Sequence, residues 1–512
     1  MDLILRNIKV RLEEDDLSTY KTLASKKLGI AEANVLNLKI LKKSLDARDK
    51  RQFYYDLLLA VTVPEKYKNK RNLPQVPEKP RKREIKNTLK DRPVIIGLGP
   101  AGIFAALTFL KYGIKPIIFE RGKKVDQRME DIRHFEKSRV LDPESNAQFG
   151  EGGAGTYSDG KLTTRIKETG YVADILDTFI KFGAPDEIAY TNRPHLGTDK
   201  LCKIIKNIRE FIVRSGGEMH FRSKVTDLII ESGILKGVEI NGQQKCFSST
   251  LVLAIGHSAR DTLQMLNEKG IKIEQKPFAV GVRVEHPAEM INLMQYGEKY
   301  KDHPNLGPAD YALTHNGVFS FCMCPGGEIV NASSENGRLA LNGMSNSKRS
   351  SPFSNAAIVA SVTPDKFGSS HPLAGIEFQR MIESKAYDSW RAPAQNLLDF
   401  LNSARSVKIN PNSFKMDTFS VEIKEVFPEF ISQSLVAAFK YWGNRFPLFI
   451  CEKAVLMAPE SRTSSPVRIL RDQDRRSVNF PNFYPVGEGS GYAGGITSSA
   501  VDAVKTVEKI MG

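Results

Sequence analysis

The stretch Pro93-Val-Ile-Ile-Gly-Leu-Gly-Pro-Ala-Gly102 constrains this chain more than any other. It is a short apolar run that opens into Gly-x-Gly-x-x-Gly at Gly97, Gly99 and Gly102. An apolar segment, Ile103 to Lys111, reads as a helix stopped by Tyr112-Gly113. A second apolar run, Lys115 to Phe119, ends in Glu120. Strand, glycine turn, helix and second strand follow in the order of a βαβ unit. Gly97 allows the tight turn, Gly99 lets backbone approach a pyrophosphate, and Gly102 lets helix and strand pack closely. Pro100 and Ala101 belong to the same phosphate-facing turn. Glu120 stands 18 residues after Gly102, where a carboxylate accepts hydrogen bonds from adenosine ribose hydroxyls. It would repel a 2′-phosphate, so the site is not expected to hold NADP.

The same fold class is legible further on. Gly197-Thr-Asp-Lys-Leu201 begins a helix that ends at Arg214-Ser-Gly-Gly217, and three short strands follow: Glu218 to Arg222, Val225 to Glu231 and Ile234 to Ile240. Thr250-Leu-Val-Leu-Ala-Ile-Gly256 is a strand ending in glycine. Asn482-Phe-Tyr-Pro-Val-Gly-Glu-Gly-Ser-Gly-Tyr-Ala-Gly-Gly-Ile496 is another, running into a glycine-rich loop and a terminal helix. The Gly-x-Gly-x-x-Gly string recurs at Gly150–Gly155 and Gly489–Gly494, but neither is followed by a helix and a second strand ending in an acid, so a tightly held nicotinamide domain of the two-dinucleotide kind is not expected.

The first 63 residues read as βαββ, with Asp16 capping a helix from Leu17 to Leu28 and Gly29 ending it. Residues 64–92 contain four prolines and the runs Lys-Asn-Lys-Arg and Arg-Lys-Arg, the composition of an extended, exposed linker. Residues 1–90 hold 22 Lys and Arg against 12 Asp and Glu, so this first sixth carries +10 of the net +15. Two readings stand: a surface for nucleic acid or a membrane, or a solvated face with a charged linker. With 41% hydrophobic and 26% charged residues, the chain has the composition of an ordinary globular protein. Its most apolar run, Val94 to Leu110, is broken by glycines and is not a membrane span. No signal peptide is read. The five cysteines include no Cys-x-x-Cys, and their sparseness suggests a reducing, cytoplasmic setting. No cluster has metal-ligand spacing.

The glycine motif, Glu120-Arg-Gly122, Leu253-Ala-Ile-Gly256 and Pro485-Val-Gly-Glu488 come in the order seen in flavoproteins of the glutathione-reductase type. Between them lie Phe149 to Leu162, Arg193-Pro-His-Leu-Gly-Thr-Asp199, Phe321-Cys-Met-Cys-Pro-Gly-Gly327 and Glu460-Ser-Arg-Thr-Ser-Ser-Pro-Val-Arg468. The set resembles the bacterial family of uncharacterised FAD-dependent dehydrogenases, over about residues 93–512. The resemblance implies bound FAD and oxidoreductase activity, with hydride transfer through flavin N5. It places Glu120 and Arg121 near the adenosine, Val225, Ala254 and Gly256 near the adenine dinucleotide, and Gly487 and Glu488 near the ribityl chain. Gly-Glu stands where the family pattern has Gly-Asp. Gly494, Gly495 and Ile496 then open the helix that faces the flavin pyrimidine.

The expected architecture is α/β: a small βαββ domain (1–63), a linker (64–92), a Rossmann-type FAD-binding domain in two parts (93–275 and 447–512), and an inserted α+β substrate domain (276–446). Gly152, Gly153, Gly155 and Thr156, in the small-residue run Phe149 to Leu162, form either an anion-binding nest or a mobile surface loop. Cys324, with Gly326 and Gly327 behind it, offers a thiol and free amides to the flavin. Cys322 would share its strand face. The alternative is two packed core sulfurs. Arg283 and His286 lie in one strand-like run, His286 as a candidate proton donor or a structural histidine. Arg462 and Arg468 flank a Thr-Ser-Ser-Pro turn, either as a bidentate clamp for a small anionic substrate or as partners of acids across the domain interface. A transient NAD(P)H donor remains open. The rival function is a flavin-carrying RNA- or membrane-associated factor that uses the basic N-terminal region.

Overall fold

The computed structural model describes residues 1–76 and 89–512; Pro77, Pro80 and the Arg-Lys-Arg run lie outside the described residues. The N-terminal unit forms as its pattern predicts. Strands Asp2–Arg11, Tyr54–Thr62 and Asn37–Asp46 pair antiparallel in that spatial order, and helix Leu17–Leu28 packs on them. The Asp16 carboxylate accepts the Thr19 amide (2.8 Å), and Gly29 closes the helix in the left-handed region (φ 70°).

The Gly-x-Gly-x-x-Gly strand sits in the middle of a five-stranded parallel sheet. The order is Phe483–Pro485, Leu251–Leu253, Val94–Ile96, Ile117–Phe119, Glu218–His220. Its inner strands are three residues long and fully apolar because both faces are covered. Helices Pro100–Lys111, Thr198–Arg214 and Ile496–Ile510 pack on one face. The antiparallel meander Val225–Glu231, Ile234–Ile240, Gln244–Phe247 packs on the other.

The chain leaves this sheet after Leu253 and returns at Phe483. Between them a mixed seven-stranded sheet forms, ordered Thr314–His315, Val318–Cys324, Phe353–Val362, Phe278–Pro287, Val455–Glu460, Ala392–Asn396, Thr418–Ser420. Helix Glu429–Arg445 covers it with Ile431, Leu435, Ala438, Phe439 and Trp442, a 3.6-residue stripe. Strand Val455–Glu460 pairs with Phe278–Pro287, so this second unit runs past the expected end at residue 446. The short apolar run 455–459 suits either sheet, and only the pairing decides.

A buried carboxylate joins the two units. Glu383, on helix Ala374–Lys385 and fully buried, receives Arg260 bidentately (2.7 and 2.8 Å) and Arg462 through Nε and Nη2 (3.0 and 3.1 Å). The Ser461 hydroxyl adds a third donor at 2.6 Å. Burial alone would raise the Glu383 pKa. The two guanidinium groups overcome it and hold the carboxyl far below its usual range. Arg260 also reaches Glu335 (2.6 Å) and Gln379 (2.9 Å), so every charge at this seam is paired.

The N-terminal unit is docked, not tethered. Phe53, fully buried, stacks on Tyr300 with ring centroids 4.2 Å apart. Asn305 donates to the Leu12 carbonyl (3.1 Å), and the Tyr55 hydroxyl donates to the Asn305 carbonyl (3.0 Å). Part of the expected linker is ordered as well: the Ile4 amide donates to the Pro74 carbonyl (2.7 Å) and the Val76 amide to the Asp2 carbonyl (3.0 Å).

Two stability outcomes follow. Phe53→Ala should cost about 3–5 kcal/mol, the range for emptying a buried phenylalanine site, and lower the first calorimetric transition. An unchanged transition would mean that the small unit does not bind the body. Glu383→Gln should cost roughly 3–5 kcal/mol, because two buried arginines lose their counter-charge. A denaturant midpoint within error of the parent would contradict the seam.

Candidate functional site

Three strands of the parallel sheet end at one place. Beyond Ile96, Leu253 and Pro485 lie Gly97, Ala254 and Val486, and all three line a cavity of about 380 Å³. Two glycines are required there. At Gly97 the backbone is left-handed (φ 98°), and a Cβ would stand 2.5 Å from the Ala254 carbonyl oxygen. At Gly102 a Cβ would stand 2.0 Å from the Gly97 carbonyl oxygen. Gly99 caps helix Pro100–Lys111 without a side-chain bond, so the first-turn amides are left for an anion.

Glu120 is 5% exposed and lines the cavity. Its Oε2 accepts the Leu98 amide (2.8 Å), and its Oε1 accepts the amides of Gly122 (2.9 Å) and Gly150 (3.0 Å). One carboxylate thus fixes the glycine turn to the run 149–160. Oε2, with a single protein donor, retains acceptor capacity for a ribose hydroxyl. Arg121 is clamped by Glu144 and Asp261 and lies over the Phe149 ring at 4.0 Å.

The run from Asn146 to Gly160 is held from beneath by a residue that the sequence did not flag. Arg128 is fully buried. Its guanidinium donates to the carbonyls of Asn146 (2.7 Å), Ala147, Glu151 and Gly153 (2.9 Å each). It also lies over the Tyr157 ring at 4.6 Å. Nothing local in Val125-Asp-Gln-Arg128 signals this, because all the acceptors are 18 or more residues away. Gly153 and Gly155 reach the cavity, whereas Gly152 and Thr156 lie behind it, against Ile205 and each other.

Of the other expected cofactor residues, Val225, Gly256, Glu488, Gly494, Gly495 and Ile496 line the cavity with Pro100 and Ala101. Gly102 and Gly487 stand in the layer behind, Gly487 against Ala101. The Asp502 carboxylate accepts the Gly487 amide (2.9 Å) and is itself gripped by Arg471 and Arg475.

The expected chemical residues are not gathered in one place. His286 is fully buried, bonded through Nε2 to the Phe449 carbonyl (2.8 Å), and absent from the cavity wall. Burial pushes its pKa down to about 4, so it is neutral at pH 7 and gives no proton to this cavity. Arg462 lines the wall, but its guanidinium is committed to Glu383 and to the Ser334 hydroxyl (2.6 Å). Arg468 pairs with Glu274 (3.2 Å) on the outward face of a two-stranded ribbon, where both side chains are partly exposed, and does not line the cavity. The two arginines therefore do not form one clamp. Cys324 is buried behind the wall, and the sulfur-bearing residue in the wall is Cys322.

The groups facing the cavity are others. His257 follows Gly256 directly; its Nδ1 is 3.4 Å from Glu488 Oε1, and its Nε2 has no protein partner. Glu460 is buried and paired with Arg283 (2.9 Å). Burial raises its pKa against the opposing pull of Arg283. Lys161 bonds Asp159 (2.5 Å), and burial would raise the Asp159 pKa, but Lys161 and Arg349 hold it below the usual range. Glu460 opens a motif already noted and His257 lies one residue beyond another, yet their side chains carried no pattern of their own. Among the described residues no group of His, Cys, Asp and Glu is arranged to hold a metal ion, and no helix is long and apolar enough to cross a membrane.

This cavity fits a flavin dinucleotide: a glycine turn against free helix amides, an acid at the second strand's end, and open backbone at Gly256, Gly494 and Gly495, where a Cβ would meet nothing within 4 Å. The family of FAD-dependent proteins, C-terminal domain-like, matches residues 277–463, and a domain of unknown function (DUF8436) matches residues 3–62. The start at 277 and the end at 463 bracket the seven-stranded sheet. An uncharacterized protein of Clostridium beijerinckii is 43% identical over 533 residues, covering 100% of this chain and 99% of that protein. Among solved structures, the fold is similar to CtdE in complex with FAD (12% identity, 82% of this chain and 83% of that one, TM-score 0.32). It is also similar to an open flavocytochrome c3 fumarate reductase (11%, 82% and 77%, TM-score 0.35). A third is the L-amino acid deaminase from Proteus vulgaris (12%, 82% and 93%, TM-score 0.31). The chain belongs to the same family as the clostridial protein, carries the C-terminal domain of the FAD-dependent proteins, and has FAD as its cofactor.

Proposed function

We propose that the protein is an FAD-dependent oxidoreductase of the dehydrogenase kind, acting on a small molecule held between its two sheets. The observation that carries this reading is the composition of the cavity wall. The parallel-sheet unit supplies Gly97, Gly99, Glu120 and Gly256, groups suited to a dinucleotide. The second unit supplies Cys322, Asn342 and Glu460, groups suited to chemistry. Bound FAD supplies hydride acceptance and donation. The chain's own groups position the ligand, exclude water and handle the proton.

His257 is the proton-handling group in this reading. It lines the cavity, Glu488 stands at its Nδ1, and its Nε2 is left without a protein partner. Imidazole is suited to proton transfer near neutrality. Glu460, held by Arg283, sets the field beside it. The helix Ile496–Ile510 presents its N-terminal end at Gly495 to the cavity, where a positive end favours developing negative charge. The five free cysteines accord with a reducing, cytoplasmic setting.

The reading predicts a yellow protein whose colour is released on denaturation. Gly99→Val should fold and be colourless. The Gly99 backbone is not left-handed, and a Cβ there would touch only Gly153 Cα, at 3.7 Å, so the added bulk falls in the ligand space. A yellow Gly99→Val protein would overturn the placement. Anaerobic titration with NADH and NADPH separately should bleach the flavin band with at least one. His257→Ala should retain flavin and slow turnover by about 10²–10⁴-fold. Unchanged turnover with any reducing substrate would remove His257 from the mechanism.

A further inference from the structure

The wall of the cavity contains a cysteine in an unusual backbone setting. Strand Val318–Cys324 pairs with Phe353–Val362 in regular register up to Phe321 opposite Ala357, then resumes at Cys324 opposite Asn355. One extra residue is accommodated between them, a bulge, and Cys322 sits in it with φ 42°. A non-glycine residue in the left-handed region stores strain that its surroundings must hold. Here Arg283 holds it: Nη2 donates to the Cys322 carbonyl (2.9 Å), and Nε donates to Asn355 Oδ1 (2.9 Å) on the partner strand. Without the bulge, Cys322 and Cys324 would point to one face of the sheet. With it, Cys322 faces the cavity and Cys324 is buried behind.

We propose that Cys322 is a reactive thiol facing the ligand in this cavity, and that Cys324, Arg283 and Lys161 are its positioning residues. This rests on the reading of the cavity as the flavin and substrate space. The ligand class is a soft electrophile, the kind of substrate that takes a bond from sulfur.

The groups around the two sulfurs are accounted for on every side. Arg283 Nη2 lies 3.8 Å from Cys324 Sγ. Lys161 donates to the Met323 carbonyl between the two cysteines. Glu460 bonds Arg283 from the neighbouring strand, Asp159 bonds Lys161, and the buried Tyr311 hydroxyl has no bond. The two acids are each paired, so Lys161 and Arg283 dominate the field at Cys322. Cys324 Sγ donates to the Cys322 carbonyl (3.2 Å); the adjacent Cys324 thiol and these two cations favour the thiolate at Cys322 over the opposing effect of burial, and Cys324 moves the other way. Low-pKa, partly accessible thiols of this kind are the reactive ones.

The test is alkylation of the full-length protein, as purified, with iodoacetamide across a pH series spanning the ordinary thiol value of about 8.5. In that reaction the sulfur forms a bond to carbon, iodide leaves and the thiol proton goes to solvent. Peptide mapping gives a rate for each of the five cysteines. Cys322 should react about tenfold faster than the partly buried Cys246 and Cys451, with a midpoint at least one unit below the ordinary value. Cys324→Ala should raise the midpoint, and Cys324→Ser, which keeps a donor, should restore it. In the flavin-loaded protein, Cys322→Ser should abolish any long-wavelength absorbance from thiolate against oxidised flavin while flavin content stays unchanged. Flavin content, read on the same samples, separates the two failures. A yellow protein in which Cys322 reacts no faster than Cys246 overturns this inference alone. A colourless protein overturns the flavin reading. An ordinary midpoint in the parent protein overturns the inference even if the Cys324 variants fail to fold.

Discussion

The rest of the structure depends on one buried carboxylate. Glu383 comes from the second unit, Arg260 from the helix after the parallel sheet, and Arg462 from the chain as it returns to that sheet. The cavity lies where these three segments meet: Ser258 and Ala259 precede Arg260, and Arg462 and Thr463 are in its wall. A buried pair of this kind is weak as net stabilisation, because desolvation offsets most of the attraction. Its force is directional. Two planar guanidinium groups fix the carboxylate in one place, so the two sheets meet in one register and the cavity has one shape.

The division of labour across that seam follows from the elements themselves. The parallel sheet offers backbone, glycine turns and helix amides, which bind phosphate and ribose without specifying a reaction. The seven-stranded sheet offers side chains held by long-range pairing, Glu460 through Arg283 and Cys322 through a bulge, and a neighbouring two-stranded ribbon brings Asn342 beside Arg283 (3.4 Å). Under the proposed function, a cofactor-binding half and a chemistry-bearing half can then vary separately, since different residues carry each task.

Legibility in the sequence splits along the same line. The βαβ unit, the meander and the terminal helix were readable because their signals are local: glycine spacing, short apolar runs and caps lie within about 30 residues of one another. Gly97, Gly99, Glu120 and Gly256 were readable for the same reason. The second unit was located but not resolved, and its end was placed too early. Its strands pair across gaps such as Phe278–Pro287 with Val455–Glu460, for which no local pattern exists. The candidate chemical residues did not gather in one place, and small displacements decide which of them line the cavity. A regular strand would put Cys322 and Cys324 on one face, and one inserted residue leaves only Cys322 in the cavity wall. His286 was singled out and His257 was not, because no local feature distinguishes a buried imidazole from one in a wall. Arg128 was invisible, since its acceptors are brought to it only by the folded loop.

The small N-terminal sheet has two outer strands, and each is covered over part of its length. Pro74 and Val76 lie along Asp2–Arg11, while Tyr190 and Asn192 of the body exchange backbone hydrogen bonds with Lys43 of Asn37–Asp46 (2.7 and 3.0 Å). An uncovered outer strand is a template on which another chain can add. The ordered start of the expected linker therefore acts as a guard. It occupies the Ile4 amide and the Asp2 carbonyl at that edge, and the docking of the small unit occupies the Lys43 amide and carbonyl on the opposite side. What reads in composition as a charged, proline-rich spacer is, at residues 74–76, a short cover on the edge of the first strand.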